Sequence, residues 1–183
     1  IKRLWQNETL IPKLSDKTID RSSESFHEFI RKLTNEDCTK WVLEHLELKK
    51  RDFLDAAVNP NNGKRRGVFE DCTVGTAKIL QSKFQFSMYE ALDPELTALS
   101  SHGELGNTSF VEWIVKTFNI SKSLFRSAGN LFEFETIKLA AGCGEEETCT
   151  FLADHFDMSR EELVEYLTDS CAQYGYDMLE WLD

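Results

Sequence analysis

Chemistry in this chain would have to come from four histidines, five cysteines and 32 aspartates and glutamates. Their spacing withholds most of it. His27, His45, His102 and His155 stand far apart, and none belongs to a His-Glu-x-x-His pair that grips zinc from one helix face. Cys38, Cys72, Cys143, Cys149 and Cys171 include no Cys-x-x-Cys and no zinc-type Cys/His spacing. No Walker loop cradles a phosphate, and no Gly-x-Ser-x-Gly sets a serine on a sharp turn. Gly142-Cys143-Gly144 is the best nucleophile candidate, because a helix N-terminus lowers a thiol pKa. Glu145, Glu146 and Glu147 follow directly and raise it again. The other carboxylates are spread as on any acidic helical surface. The expectation is a non-enzyme with no metal and no cofactor.

Charge is the next signal. Residues 1–66 carry a net +3 and residues 67–183 a net −14, within a total of −11. Such asymmetry fits either a partner met by the acidic end or a solvated surface that keeps a Phe-rich chain apart from its copies. It argues against nucleic acid as the main ligand, since phosphate binding needs clustered Lys and Arg. Two compact basic patches exist, Lys49-Lys50-Arg51 and Lys64-Arg65-Arg66. The second lies in the clearest loop, Asn59-Pro60-Asn61-Asn62-Gly63 onward. It reads as an anion or acidic-peptide contact, or as a plain solvated loop. No run of 18 apolar residues exists, so no membrane span is expected. An odd cysteine count without a pairing motif reads as small, mostly buried residues in a reducing compartment, cytoplasmic or nuclear. The start at Ile1 without Met points to an excised or processed chain.

The elements that would position these groups are helices. Phe26, Phe29, Ile30 and Leu33 share one helical face, as do Cys38, Trp41, Val42 and Leu46. Ser87-Met88-Tyr89-Glu90 and Ser159-Arg160-Glu161-Glu162 are capping boxes, and the second starts a helix through Tyr174. Residues 121–133 read as the longest irregular connection. A frame recurs along the chain at Trp5, Trp41, Ile79, Trp113, Phe151 and Trp181, with intervals of 36, 38, 34, 38 and 30. Phe84-Gln85-Phe86-Ser87, Phe118-Asn119-Ile120-Ser121 and Phe156-Asp157-Met158-Ser159 repeat one phrase at one phase. A period of about 30 to 40 residues marks a helical repeat array. The aromatic rungs read as core rather than as ligand-stacking groups, and His45 and His155, at one repeat phase, as structural.

Leu139-Ala140-Ala141-Gly142-Cys143-Gly144, followed by Phe151-Leu152 and Asp154-His155, resembles an ankyrin repeat. The similarity extends less closely over Ser25 to Asp183. Two departures stand out: Thr136-Ile137-Lys138-Leu139 is the nearest approach to the family's Thr-Pro-Leu-His, and Phe replaces the Gly that closes the second helix. The resemblance implies an all-α solenoid of stacked helix-turn-helix, ankyrin-like repeats over residues 25–183. Residues 1–24 would be a degenerate repeat or an extension. It further implies a protein–protein interaction module with an extended surface and a protein partner. Arg65, Arg66, Tyr89, Arg126 and Glu133 are the candidate partner-binding residues, since they lie in or beside the connections. The alternative is a targeting or substrate-recognition segment of a larger enzyme or effector. A third reading, rungs by chance, expects helix pairs of unlike geometry at Trp113 and Phe151.

Overall fold

The computed structural model describes residues 20–59, 63–127 and 134–174. Trp5 and Trp181 of the repeating frame lie outside them. Among the described residues every regular element is a helix. In order these are α1 (Glu24–Arg31), α2 (Glu36–His45), α3 (Lys50–Ala56), α4 (Val74–Phe84), α5 (Met88–Leu92) and α6 (Thr97–Glu104). They continue with α7 (Thr108–Thr117), α8 (Lys122–Ser127), α9 (Glu135–Gly142), α10 (Glu146–His155) and α11 (Arg160–Tyr174). The chain forms two compact units. One runs to Arg65 and includes Asp71–Gln85; the other holds Arg66–Glu70 and the chain from Phe86. In the first, α1 packs on α3 and α2 on α4. In the second, α6 packs on α9 and α7 on α10, while α9 also meets α11.

The repeating frame shows as geometry. α2, α4, α7 and α10 carry Trp41, Ile79, Trp113 and Phe151. These rungs are half-buried rather than sealed in a core, which corrects the expectation from sequence. The residue after each rung does the sealing: Val42, Leu80, Ile114 and Leu152 are all fully buried. A helix turns 100° per residue, so one step moves a side chain from the centre of a packed stripe to its edge. The flat indole or phenyl at that edge is covered by a neighbour one turn on. His45 stacks on Trp41 at 4.2 Å and His155 on Phe151 at 5.5 Å. That is a structural use of both histidines.

The pairs α6–α7 and α9–α10 share one turn. Gly106 and Gly144 sit at φ +65° and +78°, where a side chain would cost energy. The N–H of Asn107 donates to the His102 carbonyl at 2.9 Å, and that of Glu145 to the Ala140 carbonyl at 2.9 Å. Leu96 and Phe134, both buried and both left-handed, precede the first helix of each pair. The rungs at Trp113 and Phe151 thus lie in pairs of like geometry, against the reading that they recur by chance. Ala140 and Ala141 are fully buried, as their small size suggests. The equivalent Gly103 lets α9 come so close that an added Cβ would lie 2.7 Å from Thr136 Cγ2.

The Phe-x-apolar-Ser phrase is a stop followed by a start. Gln85, Asn119 and Asp157 take φ of 50°, 48° and 48°, ending α4, α7 and α10. The next N–H then reaches back five residues, from Ile120 to Val115 at 3.1 Å and from Met158 to Ala153 at 3.0 Å. Ser87, Ser121 and Ser159 cap the helix that follows, and the boxes with Glu90 and Glu162 close from both sides. The segment after Ser121, read from sequence as irregular, holds α8. A third helix therefore follows the pair α6–α7, as α11 follows α9–α10, because a serine already caps it; among the described residues no first helix precedes α4.

A third device recurs, once in each unit. Lys50 at the start of α3 donates to the Gln85 carbonyl at 3.2 Å, and Phe53 meets Phe84 at 5.2 Å between ring centres. Seventy-two residues later Lys122 donates to the Asp157 carbonyl at 3.0 Å, and Phe125 stacks on Phe156 at 4.2 Å. Lys122 also pairs with Glu162 at 2.9 Å. That hydrogen bond, then the Ser159 N–H, holds the Glu162 carboxyl below its ordinary range.

Two outcomes follow from these stops. Gln85 pays for its left-handed backbone, so Gln85→Gly should raise stability by about 0.5–1 kcal/mol in urea unfolding, and Gln85→Val should lower it. Glu162, with its native pKa depressed, adds stability that is present above the ordinary glutamate value of about 4.3 and lost as pH falls through the native value. Unfolding midpoints measured from pH 5 to pH 3 should fall less steeply for Glu162→Gln than for the wild type.

Candidate functional site

The first unit holds one helix fixed at both ends from the same side. Arg21 pairs with Asp52 and donates to the Glu47 carbonyl at 2.9 Å. Asp52 also accepts the Lys49 N–H at 2.7 Å, capping α3. At the other end Arg31 donates to the Ala56 carbonyl at 3.0 Å, satisfying a carbonyl the helix leaves open. Asp52, Phe53 and Ala56 are buried on the inner face. By helical spacing the outer face is then Lys50, Arg51, Leu54 and Asp55, with Val58 just past the helix end.

Past α3 the chain turns back. The Gly63 N–H donates to the Asn59 carbonyl and the Asn59 N–H to the Lys64 carbonyl, each at 2.8 Å. An isolated antiparallel bridge then sets Arg65 opposite Val58. Lys50, Arg51, Leu54, Asp55, Val58 and Arg65 line a cleft of about 520 Å³. The two basic patches of the sequence, 14 residues apart from Arg51 to Arg65, meet here.

Three cations and one carboxylate leave the cleft positive in a chain of net −11. Arg51 reaches Asp55 at 3.3 Å, both well exposed, so their pairing is weak. Arg65 is different. Its Nε and Nη2 are buried and have no hydrogen-bond partner. A buried N–H left unmade costs about 1–3 kcal/mol, and each such group calls for an explanation. Nε–H and the neighbouring Nη2–H form one planar edge of the guanidinium, the edge that takes both oxygens of a carboxylate.

The other candidate residues are placed elsewhere. Arg66 belongs to the second unit and turns that same edge onto Glu70, with Nε to Oε2 at 2.8 Å and Nη2 to Oε1 at 2.7 Å. Tyr89 stands on α5 and is 53% exposed. Arg126 is exposed on α8, with its guanidinium 5.9 Å from the centre of the Phe134 ring. Glu133 lies outside the described residues. Leu54 and Val58 were not singled out from sequence; the i, i+4 spacing of Lys50 and Leu54 marks a shared helix face, while Val58 is brought beside them by its bridge to Arg65.

Cysteine chemistry is not favoured. Cys143 is exposed, but burial of its surroundings, then Glu104 and Glu145, push its thiol up rather than down. Cys72 is buried and pushed up to about 12 by desolvation and Asp71. Cys149 is buried and Cys38 half-buried, so burial holds for two of the four described cysteines. Among the described residues no group of His, Cys, Asp and Glu could hold a metal ion. No helix among them is long and apolar enough to cross a membrane.

The two neighbouring arginines should answer differently to the same substitution. Arg65→Met removes two unpaired buried donors, so stability should hold or rise by up to about 1–3 kcal/mol. Arg66→Met breaks the fork on Glu70 and should cost about 1 kcal/mol. Chemical denaturation of both variants checks the contrast. Set against protein-family models, curated proteins and solved structures, the chain matches none of them.

Proposed function

We propose that the chain is a protein–protein interaction module, a solenoid of divergent ankyrin-like repeats with an extended surface for a protein partner. The observation that carries this reading is like packing on like. Second helices meet second helices, α2 with α4 and α7 with α10, and first helices meet in α6 with α9. In such arrays each repeat contacts its neighbours, and surfaces diverge while the buried frame persists. The ankyrin resemblance adds the Ala140-Ala141 pair and the left-handed Gly144 at the turn. The helix α8 in the connection, where that family carries a β-turn finger, is the main departure.

Contacts are assigned to Arg65, Arg66 and Glu133, to Tyr89 on α5 and to Arg126 on α8. The exposed thiol of Cys143 suits a reducing compartment, cytoplasmic or nuclear. Arg65 favours binding over a purely structural role, because its open hydrogen-bonding edge is costly to the fold by itself.

The test is affinity capture with the whole chain from lysate of the source cells, followed by crosslinking of the captured complex. One partner is expected, released at high salt and crosslinked at the connections. An unrelated acidic helical protein capturing the same set, or no specific capture, counts against the reading.

A further inference from the structure

We propose that the cleft between α3 and Arg65 is a carboxylate-binding site, and that its ligand is an acidic side chain of the partner protein next to an apolar one. The inference rests on the interaction-module reading and names the chemistry of the partner. Three observations bring it together. Lys50, Arg51 and Arg65 gather positive charge in one place on a strongly acidic chain. The Nε–Nη2 edge of Arg65 has no partner. Leu54 and Val58 add apolar surface beside the charges, and Val58 is 39% exposed.

The next residue shows how such an edge is filled. Arg66 holds both Glu70 oxygens with its Nε and Nη2, at 2.8 and 2.7 Å. Arg65 has the same edge, buried and without a hydrogen-bond partner among the described residues. Turning that edge into the cleft gives up no hydrogen bond, because it makes none. A cleft of about 520 Å³ suits a side chain and its neighbour, being of the size that takes small ligands. Asp55 in the wall repels a doubly charged phosphate more than a singly charged carboxylate. Leu54 and Val58 give a lone inorganic anion nothing to bind, whereas a Leu or Phe beside a Glu buries apolar area there.

The probe is a fluorescein-labelled dodecapeptide of alternating Glu-Leu pairs, titrated with the whole chain by fluorescence anisotropy. Its Gln-Leu counterpart and a phosphoserine peptide of the same length serve as comparisons. The Glu-Leu peptide should bind at least ten-fold more tightly than the Gln-Leu peptide, and more weakly at 300 mM than at 50 mM NaCl. Arg65→Met should lose ten-fold or more in affinity while keeping its unfolding midpoint. Arg65→Lys should lose nearly as much, since an ammonium cannot offer the fork. Leu54→Asp, on the outer face of α3, should lose binding through repulsion and gives a second variant should Arg65→Met fail to fold.

Undiminished binding by Arg65→Met, or by Leu54→Asp, overturns the site. Full binding by Arg65→Lys overturns the fork. Tighter binding of the phosphoserine peptide overturns the carboxylate. If no peptide binds but a cellular partner is still captured, this site is wrong and the module reading stands. If the Glu-Leu peptide binds and no partner is captured, the site stands and the module reading falls.

Discussion

The structure depends on a backbone that reverses its hand for one residue at the ends of α4, α7 and α10. Gln85, Asn119 and Asp157 all sit near φ +50°, and each arrests its helix there. Such a residue leaves carbonyls pointing outward with no helical partner. Lys50 and Lys122 take two of those carbonyls, each from the third helix of the preceding repeat. Beside each lysine a phenylalanine of that helix meets the phenylalanine that ends the next second helix. A helix stop, which is local, thereby becomes a joint between repeats, which is not. The ammonium contributes charge assistance to a carbonyl bond, and the ring pair contributes burial.

That joint explains why the short helices α3 and α8 persist. α3 has seven residues and α8 six, too few to be stable alone in water. Each is capped by its sequence and then held by tertiary contacts. α3 is the more tightly held, with Arg21 on Asp52 at one end and Arg31 on the Ala56 carbonyl at the other. Fixing its inner face settles what its outer face presents. The cleft is a consequence of that anchoring and of the turn that returns the chain to Val58. In the second unit His102 plays a different buried part. The Asn107 amide donates to its Nδ1 at 3.0 Å, its Nε2 lies 3.3 Å from the Phe69 carbonyl, and Phe110 stacks on its ring at 3.5 Å. It is a satisfied core histidine rather than a catalytic one.

The helical class and the capping boxes were legible because they depend on neighbours within five residues. Ser87 and Glu90, or Ser159 and Glu162, complete their bonds inside one turn. The period was legible because buried positions recur with the packing that needs them. Its phase was misread by one residue. Trp113 and Phe151 are more conspicuous than Ile114 and Leu152, yet the smaller side chains take the centre of the stripe. Size draws the eye to an aromatic ring, whereas depth is set by helix rotation against a neighbouring helix that a single segment does not reveal. α8 was missed for a related reason. Its six residues carry a weak pattern, and Phe125 finds its partners outside the helix, in Phe134 nine residues on and Phe156 31 residues on.

The sequence by itself determined where helices start and stop, that they repeat, and that Lys, Arg and Glu crowd the connections. Those properties follow from backbone sterics, capping and periodicity, all of them short in range. Only the tertiary structure decided which charges are spent. Arg65 and Arg66 are adjacent and identical in type, and both were candidates for a partner. Arg66 closes on Glu70 at 2.7 Å, while Arg65 crosses to Val58 and leaves one buried edge without a partner, in the wall it shares with Lys50 and Arg51. The physical reason is that a guanidinium is satisfied or left wanting by oxygen atoms a few ångströms away in space, and chain order does not say which those are.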